Sequence, residues 1–334
     1  MSKKDNSLVS FTQLEAKIGR NIIRTDLTRV IAIFMIIMHH GYSYYITNVN
    51  PLIPYNLLIS SLNFFGMIGV ALFFICSGAN LKEKISLKEK FLKIYPAYIV
   101  CLIAWEFIQP STPNTFIEYA TLLNGFYGIM YTPLWFIPTL FGLYILYPIL
   151  QEIIRHKKLT VIVIGLSFCG LLPAIILSYK LPLITTYPYT SFVLIALCPF
   201  ILGMLTKRIE RRYSLLILLF SIFWILSIWE YSDTWQVFAG LLTPFIAYGI
   251  FSLTANTIKT AWGNTTLILY LLHPFVISYL SKFYGWIIIP TSIPILLIAS
   301  WYLTKLNNKF TNYLVKRINT KKNGRWEETA LEHP

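Results

Sequence analysis

Apolar runs bounded by charged or turn-forming residues recur along this chain at 30–47, 57–81, 94–109, 134–153, 159–179, 189–206, 213–229, 235–254, 264–281 and 285–304. A membrane span needs about 20 apolar residues, so the pattern predicts ten transmembrane helices joined mostly by short loops. Pro96, Pro138, Pro148, Pro173, Pro199, Pro244 and Pro274 fall inside these runs. They are compatible with helices in lipid, because a neighbouring helix can satisfy the carbonyl that each proline frees. The longest loop, 110–133, contains an apolar stretch, 116–131, without Lys or Arg, and reads as an interfacial or re-entrant helix.

Composition narrows the picture. Of 334 residues, 56% are hydrophobic and only 13% charged, with a mean hydropathy of +0.62, which excludes a water-soluble enzyme. The fold class expected is all-α, a polytopic membrane protein with about ten transmembrane helices. The organisation expected is a polar cytoplasmic tail over 1–23, one transmembrane domain over 24–305 and a basic cytoplasmic tail over 306–334. No cleaved signal peptide is read in the tail, and the first span acts as its own targeting signal. Of the 28 Lys and Arg, all but Lys180 and Lys282 fall on one side of this topology. By the positive-inside rule that side is cytoplasmic, which puts both termini there. A net charge of +14 then reflects basic loops that meet anionic lipid headgroups, not a nucleic-acid surface. Cys76, Cys101, Cys169 and Cys198 all lie in apolar segments without CxxC or His spacing, so disulfides and metal sites are not expected. P-loop, GxSxG and HExxH motifs are lacking.

Ionisable residues inside a bilayer are costly and persist where they pair or work. The first span carries Arg29 at one end and His39 and His40 deep inside. At about 100° per residue, eleven residues place Arg29 and His40 on one helix face, about 16 Å apart along the axis. Asp26 shares that face, at a spacing that allows a pairing with Arg29. The arrangement suits a long substrate with an anionic head at Arg29 and a reactive end at His40, along a tunnel open at both ends. The plainer account is a snorkelling arginine and a histidine bonded between helices. His39, turned about 100° away, reads as a helix contact.

His273, in the ninth span, comes to about the depth of His40; either the two imidazoles line one cavity or His273 is satisfied by a carbonyl at the Pro274 kink. Ser77 and Gly78 end the second span, followed by Lys82, Lys84, Lys88, Lys90 and Lys93. Small residues beside lysines suit a phosphate-rich ligand, and equally suit close helix packing and charge orientation. Trp135 reads either as a platform for a sugar ring or as an interfacial anchor.

Asp26-Leu27-Thr28-Arg29 followed by His40 resembles the first-helix signature of the membrane-bound acyltransferase-3 family. The stretch from Gly69 to Gly78 is similar to that family's second-helix motif. The likeness continues at Lys93-Ile94-Tyr95-Pro96, Leu134-Trp135-Phe136-Ile137, Gly203-Met204-Leu205 and Tyr270-Leu271-Leu272-His273-Pro274. Two positions depart from it: Ala79 stands where an aromatic is usual, and Lys93 where arginine usually precedes the Ile-Tyr-Pro triplet. Within the family the short, stand-alone chain looks most like members that acetylate surface polysaccharides, the enterobacterial common antigen among them.

The resemblance implies a multi-pass protein of the bacterial cytoplasmic membrane that takes acetyl-coenzyme A, or another acyl-coenzyme A, as cytoplasmic co-substrate. It implies O-acylation of a hydroxyl on a glycan or lipid-linked saccharide reached from the other side, with no permanently bound cofactor. Family roles carry over as Arg29 for donor positioning and His40 for proton abstraction. Ser77, Lys82, Lys90 and Lys93 join Arg29 at the donor, and His273 and Trp135 are assigned to the acceptor. Homo-oligomerisation is left open. The competing readings are a transporter or flippase for a lipid-linked saccharide, against which no half-to-half similarity is detected, and a glycan polymerase, which would want a large basic external loop.

Overall fold

A computed structural model of the chain describes residues 23–49, 57–81, 86–123, 133–156, 158, 161, 192–206, 211–227, 235–258, 265–280 and 288–331. Ten α-helices occupy them: α1 (Asp26–Val49), α2 (Leu57–Ala79), α3 (Leu87–Ile108), α4 (Pro113–Ala120), α5 (Phe136–Arg155), α6 (Phe192–Leu205), α7 (Arg211–Ser227), α8 (Trp235–Thr254), α9 (Thr266–Leu280) and α10 (Ile288–Leu331). A 3-10 turn, Pro133–Trp135, leads into α5. The described residues contain no strand.

Nine of the ten predicted spans therefore coincide with helices, while the run at 159–179 lies outside the described residues apart from position 161. Of the stretch 116–131 expected to hold a helix, 124–131 lies outside the described residues and 116–120 belongs to α4. Its start follows from local chemistry: Thr112 accepts the Thr115 N–H at 3.2 Å and Pro113 takes the first helical position. The last helix overruns its predicted end at 304 by more than twenty residues. The continuation is rich in Lys, Arg and Asn and contains no proline up to Leu331, so polarity ends the apolar run without ending the helix.

Among the described residues two helices, α3 and α5, are long and apolar enough to cross a membrane. Their surroundings differ. Most of α5 is buried, whereas α3 turns Val100 (65% exposed) and Phe107 (86%) outward, as α7 does Phe223 (66%) and α10 Ile298 (70%). Large aliphatic and aromatic side chains spread over several outer helices form the kind of surface that lipid covers.

At the centre, α2 packs on α1, α6 and α8, while α9 bridges α1, α3 and α10. The crossing of α2 and α6 is set by two glycines. A Cβ on Gly78 would run into the Phe200 carbonyl, and one on Gly203 into the Ile75 carbonyl. With little gain from hiding apolar surface from lipid, such small-residue contacts are what hold membrane helices together. Elsewhere a proline is used as a link: Pro96 deprives the Leu92 carbonyl of its helical donor, and Thr311 Oγ1 from α10 approaches it at 3.4 Å, beside Asn307 Nδ2 on the Lys93 carbonyl at 3.1 Å.

Candidate active site along the first helix

Helix α1 buries Ala32, Ile33, Ile36 and Ile37, so the face shared by Arg29 and His40 is turned into the protein and not toward its outer surface. At the deeper end, α9 brings His273 against α1. The His40 and His273 ring centroids are 5.0 Å apart, and His39 and His40 are 4.7 Å apart. The rings meet as the depth argument anticipated.

His273 is fully buried. Pro274 has no N–H, so the helix offers Tyr270 O no donor from position 274. The Nδ1 atom of His273 lies 2.5 Å from that oxygen. A carbonyl can only accept, so Nδ1 carries the proton and Nε2 is left with its lone pair. Nε2 is buried and makes no hydrogen bond. The account of His273 as satisfied by a carbonyl beside the kink is met by Nδ1, while Nε2 is left without a hydrogen bond in a ring that neighbours His40.

His39 has the contact role expected of it. It packs against α2 at Gly66, where an added Cβ would stand 2.6 Å from the ring. Beneath the histidines lies an aromatic wall. Tyr270 lies tilted at 5.4 Å from His273, Phe136 at 5.0 Å from Tyr270, and Phe73 at 5.8 Å from Phe136. Phe74 lies 4.6 Å from Phe136, and Trp135 lies 6.4 Å from Phe74 at the far edge of the wall, which separates it from the imidazoles.

The Arg29 end is built differently. Arg24 N–H donates to Asn256 Oδ1 and Asn256 N–H to the Arg24 carbonyl, each at 2.8 Å. Asn256 adopts φ 61°, a left-handed conformation that Asn tolerates better than most residues. Thr28 pairs with Thr254 at 2.7 Å, and Asn80 Nδ2 donates to Thr25 Oγ1 at 2.8 Å, so α1, α2 and the end of α8 are stitched by neutral polar groups.

The Arg29 guanidinium lies close enough to the Cys76 thiol to act on it electrostatically. Tyr144 of α5 faces both Ser77 and Arg29. Ser77 donates to the Phe73 carbonyl at 2.8 Å, and Lys90 Nζ stands 5.6 Å from the centroid of the Tyr144 ring. Arg29, Ser77 and Lys90, which lie on three helices, therefore converge on Tyr144. Lys93 is exposed at the α3–α10 contact. Lys88 is exposed on a surface groove of about 440 Å³ over Leu87, Phe91, Leu122 and Phe141, which includes none of Arg29, His40 and His273. Lys82 and Lys84 lie outside the described residues.

Two readings of the sequence are corrected. Among the described residues Arg29 forms no ion pair with Asp26; Asp26 occupies the first turn of α1, where the helix dipole favours an acid without any partner. Nor, among the described residues, does an open tunnel run along α1, because Ile33 and Ile36 fill the face between Arg29 and His40 and are packed into the core. Sequence reasoning missed Tyr144, Cys76, Asn80 and Asn256. Cys76 sits inside the second-helix motif and was open to recognition, while neutral residues such as Tyr144 and Asn256 carry no signal until distant helices are assembled.

The family model described as an acyltransferase domain, of the acyltransferase-3 type, matches residues 22–305, a span that takes in both ends of this arrangement. No curated protein and no solved structure matches the chain.

Proposed function

This chain belongs to the acyltransferase-3 family and is an acyltransferase; we propose that it is an integral membrane O-acetyltransferase. In this reading it moves an acetyl group from cytoplasmic acetyl-coenzyme A to a hydroxyl of a surface glycan or its lipid-linked precursor. Both termini are cytoplasmic, the Arg29 end faces the cytosol and the protein resides in the bacterial cytoplasmic membrane as a multi-pass protein. In this reading its functional counterparts are O-acetyltransferases of surface polysaccharides, that of the enterobacterial common antigen among them.

The observation that carries the reading is the contact of the buried His273 ring with His40, which shares a helix face with Arg29. Acyl transfer to an alcohol needs a base, because a sugar hydroxyl is a weak nucleophile until its proton is taken. His40 takes that proton as the oxygen attacks the thioester carbonyl. The other end suits the donor's head: the Arg29 guanidinium, the Lys90 ammonium and the hydroxyls of Ser77 and Tyr144 offer charge and hydrogen bonds to phosphate oxygens. Lys82 and Lys93 extend this cationic mouth in the proposal. To join the two ends, the donor's slender arm displaces the Ile33 and Ile36 side chains. Trp135, at the far edge of the aromatic wall, supports a sugar ring of the acceptor other than the one whose hydroxyl reacts.

The test uses membrane vesicles holding the full chain, labelled acetyl-coenzyme A and endogenous glycolipid. Label is expected on the glycolipid with the native protein and at background with His40→Ala. Full transfer by His40→Ala would remove the base; blocked glycan export with acetylation intact would favour a transporter.

A further inference from the structure

Among the buried groups to which the mechanism gives no task is the Nε2 lone pair of His273. Its orientation is built in. Pro274 frees the Tyr270 carbonyl, that carbonyl holds the Nδ1 proton at 2.5 Å, and the tautomer that results aims a proton-accepting nitrogen into the protein interior, where no partner meets it. An unsatisfied buried acceptor is costly and is retained where something visits it. The nearest titratable ring is His40, with centroids 5.0 Å apart and planes tilted by 39°. That spacing admits an N–H···N bond after a modest side-chain rotation.

We propose that His273 is the proton partner of His40: a positioning residue whose Nε2 accepts a hydrogen bond from the imidazolium that His40 becomes during acyl transfer. The inference rests on the acyltransferase reading above. The step balances as follows. The acceptor's O–H proton moves to a His40 nitrogen while its oxygen bonds the thioester carbonyl carbon. Both His40 nitrogens then carry protons, and the one facing α9 donates to His273 Nε2. The tetrahedral adduct collapses, the carbon–sulfur bond breaks with its electron pair on sulfur, and His40 returns the proton to the thiolate. A bare imidazolium in this aromatic, water-poor setting would be costly. A neutral imidazole with its lone pair already aimed offsets that cost without bringing in a counter-charge, and a charge-assisted bond is the stronger kind.

The full chain in lipid nanodiscs, with labelled acetyl-coenzyme A and a lipid-linked saccharide extract, tests this through three variants. His273→Asn keeps a donor at the Nδ1 position for the Tyr270 carbonyl but has nothing at Nε2; its kcat is expected to fall about 100-fold with both KM values unchanged. His273→Gln places an amide oxygen near the Nε2 position and is expected to retain more activity than His273→Asn. A residue that only braced the Pro274 kink would give the reverse order, and His273→Asn with native kcat would overturn the proposal.

Pro274→Ala covers the case in which the histidine variants do not fold. It restores an N–H for the Tyr270 carbonyl, releases the tautomer, and is expected to lower kcat about tenfold although no reacting group has changed. A stable Pro274→Ala with native kcat would overturn the proposal as well. Native protein that transfers no label would defeat the acyltransferase chemistry itself. In that event ¹⁵N-histidine spectra still read His273 directly: Nδ1–H with a bare Nε2 is expected, and a protonated Nε2 in the neutral ring would refute the assignment.

Discussion

The two ends of α1 solve opposite problems with neighbouring residues. At the Arg29 end, polar groups are closed on one another: Arg24 with Asn256, Thr28 with Thr254, Thr25 with Asn80. The guanidinium sits among a thiol and hydroxyls. At the His40 end the surroundings are aromatic and one imidazole nitrogen is left open. The first end is a frame able to hold an anion without rearranging, since its stitching bonds do not involve the guanidinium. The second leaves the Nε2 of His273 without a hydrogen bond among aromatic rings, which the proposed function reads as a place for proton transfer. Binding at one end and proton transfer at the other are separable in such a design, and substitutions can pull them apart.

The largest effect is expected at the deep end. His40→Ala should cut the rate of acyl transfer by about 10²–10⁴-fold, the usual contribution of a positioned base, while the dissociation constant for acetyl-coenzyme A measured by calorimetry stays near native. Arg29→Gln should do the converse, raising the KM for the donor by about 10–100-fold, the loss of a charge-assisted contact, with kcat little changed. Should both substitutions act on the same parameter, the division of labour between the ends is wrong.

Two smaller effects probe the frame that holds the ends in register. Gly203→Ala drives a methyl into the Ile75 carbonyl and should cost about 1–3 kcal/mol, read as a lower thermal midpoint in detergent. Asn256→Ala loses the Oδ1 bond to Arg24 and leaves Ala at φ 61°, for about 1–2 kcal/mol. Asn256→Gly should recover the part due to backbone strain. If the frame serves donor binding, Asn256→Ala should also weaken donor affinity more than it slows the chemical step.

Several features of the site could be read before any helix was placed. The common face of Arg29 and His40 follows from helix geometry alone, and so does the freed Tyr270 carbonyl, since a proline acts on the residue four positions before it. The contact role of His39 was legible from its angular offset. The motif fragments were visible singly, but their purpose was not. Gly78 and Gly203 are two halves of one helix crossing. Phe73, Phe74, Trp135, Phe136 and Tyr270, drawn from three motifs, form one wall. The pairing of Arg29 with Asp26 is not made because an i, i+3 rule allows a contact without requiring it, and a helix N-terminus already satisfies the acid.

What the amino-acid order determined by itself is everything that local physics governs: which segments are apolar enough to be helices, which residues share a helix face, and where a proline leaves a carbonyl in need of a donor. Only the tertiary structure decided that α9 lies against α1, that Tyr144 and Lys90 join Arg29, and that isoleucines fill the path between the two ends. Those outcomes depend on how closely helices far apart in sequence can approach, which is set by shape and small residues at crossings. No periodicity along a single helix encodes that.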